Sequence, residues 1–258
     1  VICIDLDQAA IDRSSARLKG AGSADGASGA NLFFHCGNFK NLDLVLAEAK
    51  VEKVNAILFD LGWSTDQFET SGRGFSFQKN EPLAMTFSAI PTTAPFTAHD
   101  IVNSWEQTNI ADIIYAYGEE KYSRQIAKAI VEARGMKSIE TTGELVEIIS
   151  RSVPFFYRRG RIHFATRTFQ ALRIAVNDEL NALKEALWKS FDSLAPDGRL
   201  VVISFHSLED RIVKWYFRDK EAQDKAVILT KRPITASEEE VRANPRSRSA
   251  KLRILKKK

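Results

Sequence analysis

The chain has 258 residues, 44% hydrophobic and 27% charged, with a formal net charge of +4, which excludes a disordered chain and allows one substantial core plus a smaller appended unit. No apolar run approaches the roughly 20 residues of a spanning helix, and no basic-then-apolar leader opens the chain, so a cytoplasmic address is expected. Charge is uneven: residues 1–99 carry 8 Lys/Arg against 11 Asp/Glu and residues 100–258 carry 29 against 22, with clusters at Arg158-Arg159-Gly160-Arg161, Arg246-Ser247-Arg248 and Lys256-Lys257-Lys258, as on a surface that meets nucleic acid.

Val1-Ile2-Cys3-Ile4 reads as a strand ending at Asp5, followed by a helix with Ala9, Ile11, Ala16 and Leu18 apolar, and by a Gly/Ala/Ser linker over residues 20–30. Residues 31–36 form the next predicted strand, 42–49 a helix, and 54–59 a strand expected to be buried on both faces that stops at Asp60-Leu61-Gly62. This alternation predicts a parallel α/β sheet. Residues 63–95 read as a loop long enough to be functional. From Ala98 to about Val153 apolar residues recur at three-to-four spacing, which predicts an all-helical insert, and Thr141-Thr142-Gly143-Glu144 fits a capping box. One long helix follows, with Phe169, Leu172, Val176, Leu180, Leu183 and Leu187 facing the sheet and Arg173, Asn177 and Asn181 on its other face. Pro196-Asp197-Gly198 then turns into a strand over 199–205, followed by a helix over 208–218 and two last strands, 226–230 and 251–255. The sheet domain is thus assigned to 1–67 and 165–258, and the loop and helical insert to 68–164.

Three strands end in polar residues, at Asp5, at Asp60 and at His206-Ser207, and in open α/β sheets the ligand crevice lies outside the carboxyl ends of the strands. Each acid could equally cap the helix after it. A strand-end acid can bind the ribose of a nicotinamide dinucleotide or of S-adenosylmethionine (SAM), and sheet logic alone leaves both open. An oxidoreductase would need a Gly-rich turn before Asp5 and a hydride-transfer pair, and the sequence displays neither. Cys3 and Cys36 sit in apolar strand-like segments and are expected to be buried, reduced thiols. His35, His99, His163 and His206 lack the spacing of a zinc site, so no metal is expected.

Longer strings carry more. Asp60-Leu61-Gly62-Trp63-Ser64-Thr65-Asp66-Gln67, Arg73-Gly74-Phe75-Ser76-Phe77, Tyr117-Gly118-Glu119-Glu120, the run from Ala165 to Ile174, the run from Ser204 to Arg211, and that from Asn244 to Ser249 occur in this order. Together they resemble the MraW family of small-subunit ribosomal RNA methyltransferases over nearly the whole chain. The resemblance implies a class I SAM-methyltransferase (Rossmann-like) sheet with an all-helical inserted domain, SAM as methyl donor, ribosomal RNA or the small ribosomal subunit as partner, and methylation of N4 of a cytosine in the decoding region. Carried over singly, Asp5 matches the ribose-binding acid, Phe39 the aromatic beside the adenine, and Asp60 and Gln67 the two remaining cofactor contacts. On the basic half, Arg167, Arg173, Arg246 and Arg248 are expected to meet RNA.

Three departures qualify the match. The family opens with a strand and a Gly-Gly-His loop that cradles the methionine end of SAM, whereas this chain starts after that point, so weak cofactor binding is expected; a non-catalytic RNA-binding derivative is the alternative. Pro82-Leu83-Ala84-Met85-Thr86 stands where the family reads Pro-Leu-Asp-Met-Arg, and His163-Phe164-Ala165-Thr166 where it reads His-Pro-Ala-Thr.

Cytosine N4 is a poor nucleophile, so transfer needs in-line positioning and an acceptor for its proton. His206, Asn177 and the strand end at Asp60–Ser64 are expected to converge on the target, with His206 or a backbone carbonyl near Gly62 taking the proton. For His206, a role in capping the next helix is the competing reading. Trp63, Phe75 and Phe77 are candidates for stacking on an extruded base, or else a local cluster that holds the loop.

Overall fold

The computed structural model describes residues 1–21, 31–62, 72–88 and 95–258. The chain divides into two compact units, residues 1–62 with 180–258, and residues 63–179.

In the first unit, β1 (Ile2–Asp5), α1 (Gln8–Ala21), β2 (Phe33–Cys36), α2 (Leu42–Glu48) and β3 (Val54–Asp60) alternate as the sequence predicts. After the insert come α9 (Glu179–Ser193), β4 (Leu194–Ser204), α10 (Ser207–Ala222), β5 (Ala226–Ile228), β6 (Ile234–Thr235), α11 (Glu238–Ala243) and β7 (Lys251–Lys257). β1 and β2 pair in parallel as a separate two-stranded sheet. β3 pairs in parallel with β4, and the antiparallel β7 lies between β4 and β5, with β6 also on β7. One core joins these pieces: Leu183, Leu187 and Phe191 of α9 and Val213 and Phe217 of α10 bury against Ile57, Phe59, Leu200 and Val202, with Ile2 and Ile4 of β1 at its margin. Each such apolar side chain contributes about 1.5–3 kcal/mol on full burial.

Two expectations for this unit are corrected. β3 is not buried on both faces, because its side chains alternate and Leu58 is 63% exposed. Cys36 is exposed and Cys3 half-buried, both free, since β1 and β2 form a narrow sheet rather than the interior of a wide one. The lysine tail is tied into the fold at the end of β7, where Lys257 Nζ donates to the carbonyls of Phe191 and Leu194 (2.9 and 2.8 Å) and Lys256 and Lys258 pair with Asp197 and Asp224.

The second unit is helical: α3 (Ala98–Ser104), α4 (Gln107–Gly118), α5 (Ser123–Met136), α6 (Thr142–Ser152), α7 (Phe155–Arg158) and α8 (Thr166–Asn177). Its own core gathers Ile101, Ile110, Ile114, Ile126, Ile130, Leu145, Ile149, Phe169 and Leu172. The capping box at α6 forms as predicted, Thr141 Oγ1 accepting from Glu144 N and the Glu144 carboxylate from Thr141 N. The single long helix expected after residue 165 is two helices. Asp178 adopts a left-handed conformation (φ 48°) that Asp tolerates better than most residues and breaks the run. Phe169, Leu172 and Val176 therefore bury in the helical unit and Leu183 and Leu187 in the sheet unit, which moves the boundary from residue 165 to 179/180. Among the described residues no helix is long and apolar enough to cross a membrane.

Candidate active site

The polar strand ends of the first unit gather on the carboxyl side of the sheet. Asp5 closes β1; its Oδ1 accepts from Asp7 N at 2.7 Å, and desolvation pushes its carboxyl above the ordinary carboxylate pKa. Gly37 N returns to the carbonyl of Asp5 (2.9 Å), so the turn after β2 runs beside this acid. Asn38 then caps a one-turn 3-10 helix, Phe39–Asn41, by accepting from Lys40 N, which holds Phe39 in place. The Phe39 ring packs at 5.4 Å on Phe59, the residue before Asp60. This contact brings the ends of β2 and β3 together. Desolvation also raises the Asp60 carboxyl, and among the described residues nothing hydrogen-bonds it. Pairing with β4 runs past Asp60, Leu61 N donating to the carbonyl of Ile203 (3.0 Å), and Gly62 turns away with φ 96°, a conformation that costs glycine nothing. Gln67 and Trp63 lie outside the described residues.

His206 sits at the end of β4 as the N-cap of α10. Its Nδ1 accepts from Glu209 N at 3.4 Å, while the Glu209 carboxylate accepts from the backbone N–H groups of Phe205 and His206 (2.9 and 3.3 Å). With Nδ1 an acceptor, the proton of the neutral ring belongs on Nε2, which lies 3.3 Å from Glu209 Oε1. The cap thus takes Nδ1, whereas Nε2 is buried without a hydrogen-bond partner among the described residues.

Asn177 belongs to the helical unit, where its amide is a clamp: Oδ1 accepts from Phe87 N (2.8 Å), and Nδ2 donates to the carbonyls of Met85 and Arg173 (2.8 and 2.9 Å). It holds a buried turn in which Met85 has φ 56°, and Arg73 grips the same turn through the carbonyls of Thr86 and Phe87. The departures at 84–86 fall within this turn, where Thr86 is buried and donates to the Ser88 carbonyl. At 163–166, where Phe164 stands in the proline position, Thr166 N bonds the His163 carbonyl (3.0 Å).

The four arginines assigned to RNA divide. Arg173 is corrected: its guanidinium grips the Glu179 carboxylate at 2.8 and 2.9 Å, with both side chains largely buried, so its fork is spent inside the protein. Arg167 donates to the carbonyl of Glu119, the left-handed residue that closes α4. That bond belongs to a crossing of α4 and α8 close enough that a Cβ on Gly118 would stand 2.5 Å from the Arg167 carbonyl, which explains the glycine at 118, and Gln170 Nε2 donates to the Tyr117 carbonyl across the same crossing (2.9 Å). Arg246 and Arg248 stay exposed on the short 3-10 helix Pro245–Ser249. Phe75 stacks on Phe87 and Phe77 on His163, both as part of the helical core, so the local-cluster reading holds for them. The sequence reading passed over the exposed aromatics Phe155 and Phe156, whose signal is two adjacent phenylalanines beside an arginine run.

Two parallel strand pairs alternating with helices, with acids at the ends of β1 and β3, an antiparallel β7 and an all-helical insert fit the class I methyltransferase fold. The chain belongs to the MraW methylase family, whose match extends over residues 1–258. It is similar to the ribosomal RNA small subunit methyltransferase H proteins of Persephonella marina (51% identity over 86% of this chain and 74% of that protein), Synechococcus elongatus (46% over 100% and 80%) and Brevibacillus brevis (43% over 100% and 83%).

Proposed function

We propose that the chain transfers the methyl group of SAM to N4 of a cytosine in the decoding region of small-subunit ribosomal RNA. The observation that carries the cofactor half of this reading is the contact of Phe39 with Phe59 between two strand-end acids, one of them, Asp60, with no hydrogen-bond partner among the described residues. Asp5 has a second carboxylate oxygen for vicinal ribose hydroxyls, Phe39 offers a half-buried ring to the adenine, and Asp60 offers a desolvated acceptor for the amino end, so these residues suit SAM. Gln67 is the fourth proposed contact. When bound, SAM supplies an electrophilic methyl group on a sulfonium. Because that charge disappears during transfer, a fixed anion such as Asp60 favours binding over the transition state and serves mainly to position the donor.

The RNA half of the reading rests on the relatives' names and on the basic second part of the chain, with Arg246, Arg248 and Arg167 as proposed phosphate contacts. Among candidate proton acceptors, the carbonyls at the Asp60–Gly62 strand end are favoured over His206, whose Nδ1 is taken by the helix cap. Incubation with SAM and small-subunit RNA, followed by nuclease digestion and mass spectrometry of the nucleosides, is expected to yield N4-methylcytidine, and Asp5→Ala is expected to reduce SAM binding at least tenfold. Methylation of another base, or tight SAM binding by the Asp5 variant, would overturn the reading.

A further inference from the structure

From Glu147 to Asp178 the chain carries Arg151, Arg158, Arg159, Arg161, Arg167 and Arg173 and no other charged residue between those two acids. The structure sorts them. Arg151 pairs with Glu147, Arg167 bonds the Glu119 carbonyl and Arg173 grips Glu179. Arg158, Arg159 and Arg161 are exposed, and among the described residues no carboxylate pairs with them. Beside them two phenylalanines face solvent, Phe155 at 59% and Phe156 at 69% exposure, an arrangement that hydrophobicity alone opposes. The guanidinium carbons of Arg159 and Arg158 lie 4.4 and 5.3 Å from the centre of the Phe155 ring.

This surface is held, not loose. Tyr157, between the outward phenylalanines and the arginines, turns inward: its hydroxyl donates to the fully buried carboxylate of Glu120, which also accepts from Tyr122 N at 2.9 Å. Its ring packs edge-on against Tyr122, and Lys121 lies over both rings. One anchored residue therefore fixes a single helical turn while the phenylalanines beside it stay exposed, and of the arginines Arg158 also donates from its guanidinium to Ser150 Oγ at 3.4 Å.

We propose that Phe155, Phe156, Arg158, Arg159 and Arg161 form a docking platform for an unpaired segment of the substrate RNA, the phenylalanines stacking on bases and the arginines meeting phosphates. The proposal rests on the reading of the substrate as RNA and names the surface of the helical unit that holds it. Charge decides the occupant: three cations without acids in the same stretch match a polyanion, and all are arginine, whose planar guanidinium stacks flat on rings and binds phosphate with two parallel hydrogen bonds, as the point charge of lysine does not. Exposed aromatics give sequence-tolerant stacking on single strands, whereas a duplex hides its base faces.

The test uses the full chain and a fluorescein-labelled, unstructured 12-nucleotide RNA, with a hairpin of equal length for comparison. Phe155→Ala/Phe156→Ala is expected to weaken single-strand binding at least tenfold, to leave the slope of log K against log salt unchanged, and to affect the hairpin little. Arg158→Ala/Arg159→Ala/Arg161→Ala is expected to lower the magnitude of that slope by about 2, at roughly 0.7 per phosphate on a single strand. Folding of both variants is checked by their far-ultraviolet spectra and unfolding midpoints, which exposed substitutions should leave in place. If the unaltered chain methylates ribosomal RNA and both variants keep full RNA affinity, the platform is refuted and the functional reading stands. Loss of binding to whole small subunits with unchanged binding to the oligonucleotide would likewise overturn the proposal in favour of a protein contact. An unaltered chain that neither binds nor methylates RNA would refute the functional reading itself.

Discussion

The imidazole of His206 is a case in which residue type suggests one role and hydrogen bonding another. A histidine at a strand end in a methyltransferase invites the role of base, but Nδ1 is spent on capping Glu209 N, while Nε2, 3.3 Å from Glu209 Oε1, is buried without a hydrogen-bond partner among the described residues. Asparagine caps helices well and has no titration near neutral pH, so it separates the two roles. His206→Ala is expected to lose about 1 kcal/mol of stability and much of the single-turnover methylation rate, and His206→Asn to recover most of both. A rate that stays a hundredfold low in a well-folded Asn variant would return the imidazole to the chemistry. Asn177 and Arg173 follow the same logic, since each looks available on a polar helix face and each has its donors committed to a neighbour. Removing either leaves a desolvated group unpaired, the costly side of a buried interaction.

Among the elements, α6 has a start that was legible residue by residue. Thr141 and Glu144 close the box, and the Glu144 carboxylate also accepts from Glu140 N (2.8 Å) and Lys137 Nζ (2.6 Å). The Lys137 hydrogen bond, helped by the backbone donors, lowers the pKa of Glu144 from 4.5 to about 2. A carboxylate whose pKa is depressed on folding contributes stability above its unfolded pKa and loses it as pH falls through the folded one. Stability of the chain is therefore expected to fall across pH 4.5 to 2 in part through Glu144, and Glu144→Gln, which cannot titrate, should flatten that part of the profile in urea unfolding series. An unchanged slope would mean that Glu144 is equally stabilised in the unfolded chain. The helix after residue 165 was less legible, because apolar spacing runs unbroken from Phe169 through Leu187 while the polypeptide breaks at Asp178. Periodicity records which residues are buried, not which core buries them.

At the scale of the molecule, β1 is bonded only to β2 and β3 only to β4, so each presents an edge that no described residue pairs. Both edges carry parallel-type strands, and both margin the proposed SAM site through Asp5 and Asp60. A strand lying between them would satisfy two rows of backbone groups at once. A strand-forming segment followed by a glycine-rich loop, supplied ahead of Val1 to fill that gap, is expected to tighten SAM binding at least tenfold, as measured by calorimetry. Equal affinity would mean that Asp5, Phe39 and Asp60 hold the cofactor without that strand.

What the sequence determined by itself was local or periodic: alternating strands and helices, acids at the ends of β1 and β3, the capping box at Thr141, and strings specific enough to indicate the family. These depend on neighbours in the chain, and neighbours are what a sequence records. Only the tertiary structure decided which side chains were already taken. Arg173 meets Glu179 across a helix break, Asn177 meets Phe87 across ninety residues, and the lysines of β7 meet carbonyls and carboxylates from distant segments. It also separated the aromatics, burying Phe75 in the helical core and leaving Phe155 and Phe156 exposed beside arginines. A hydrogen-bonding group is available to a ligand only if no distant part of the chain has claimed it, and that follows from packing rather than from residue type.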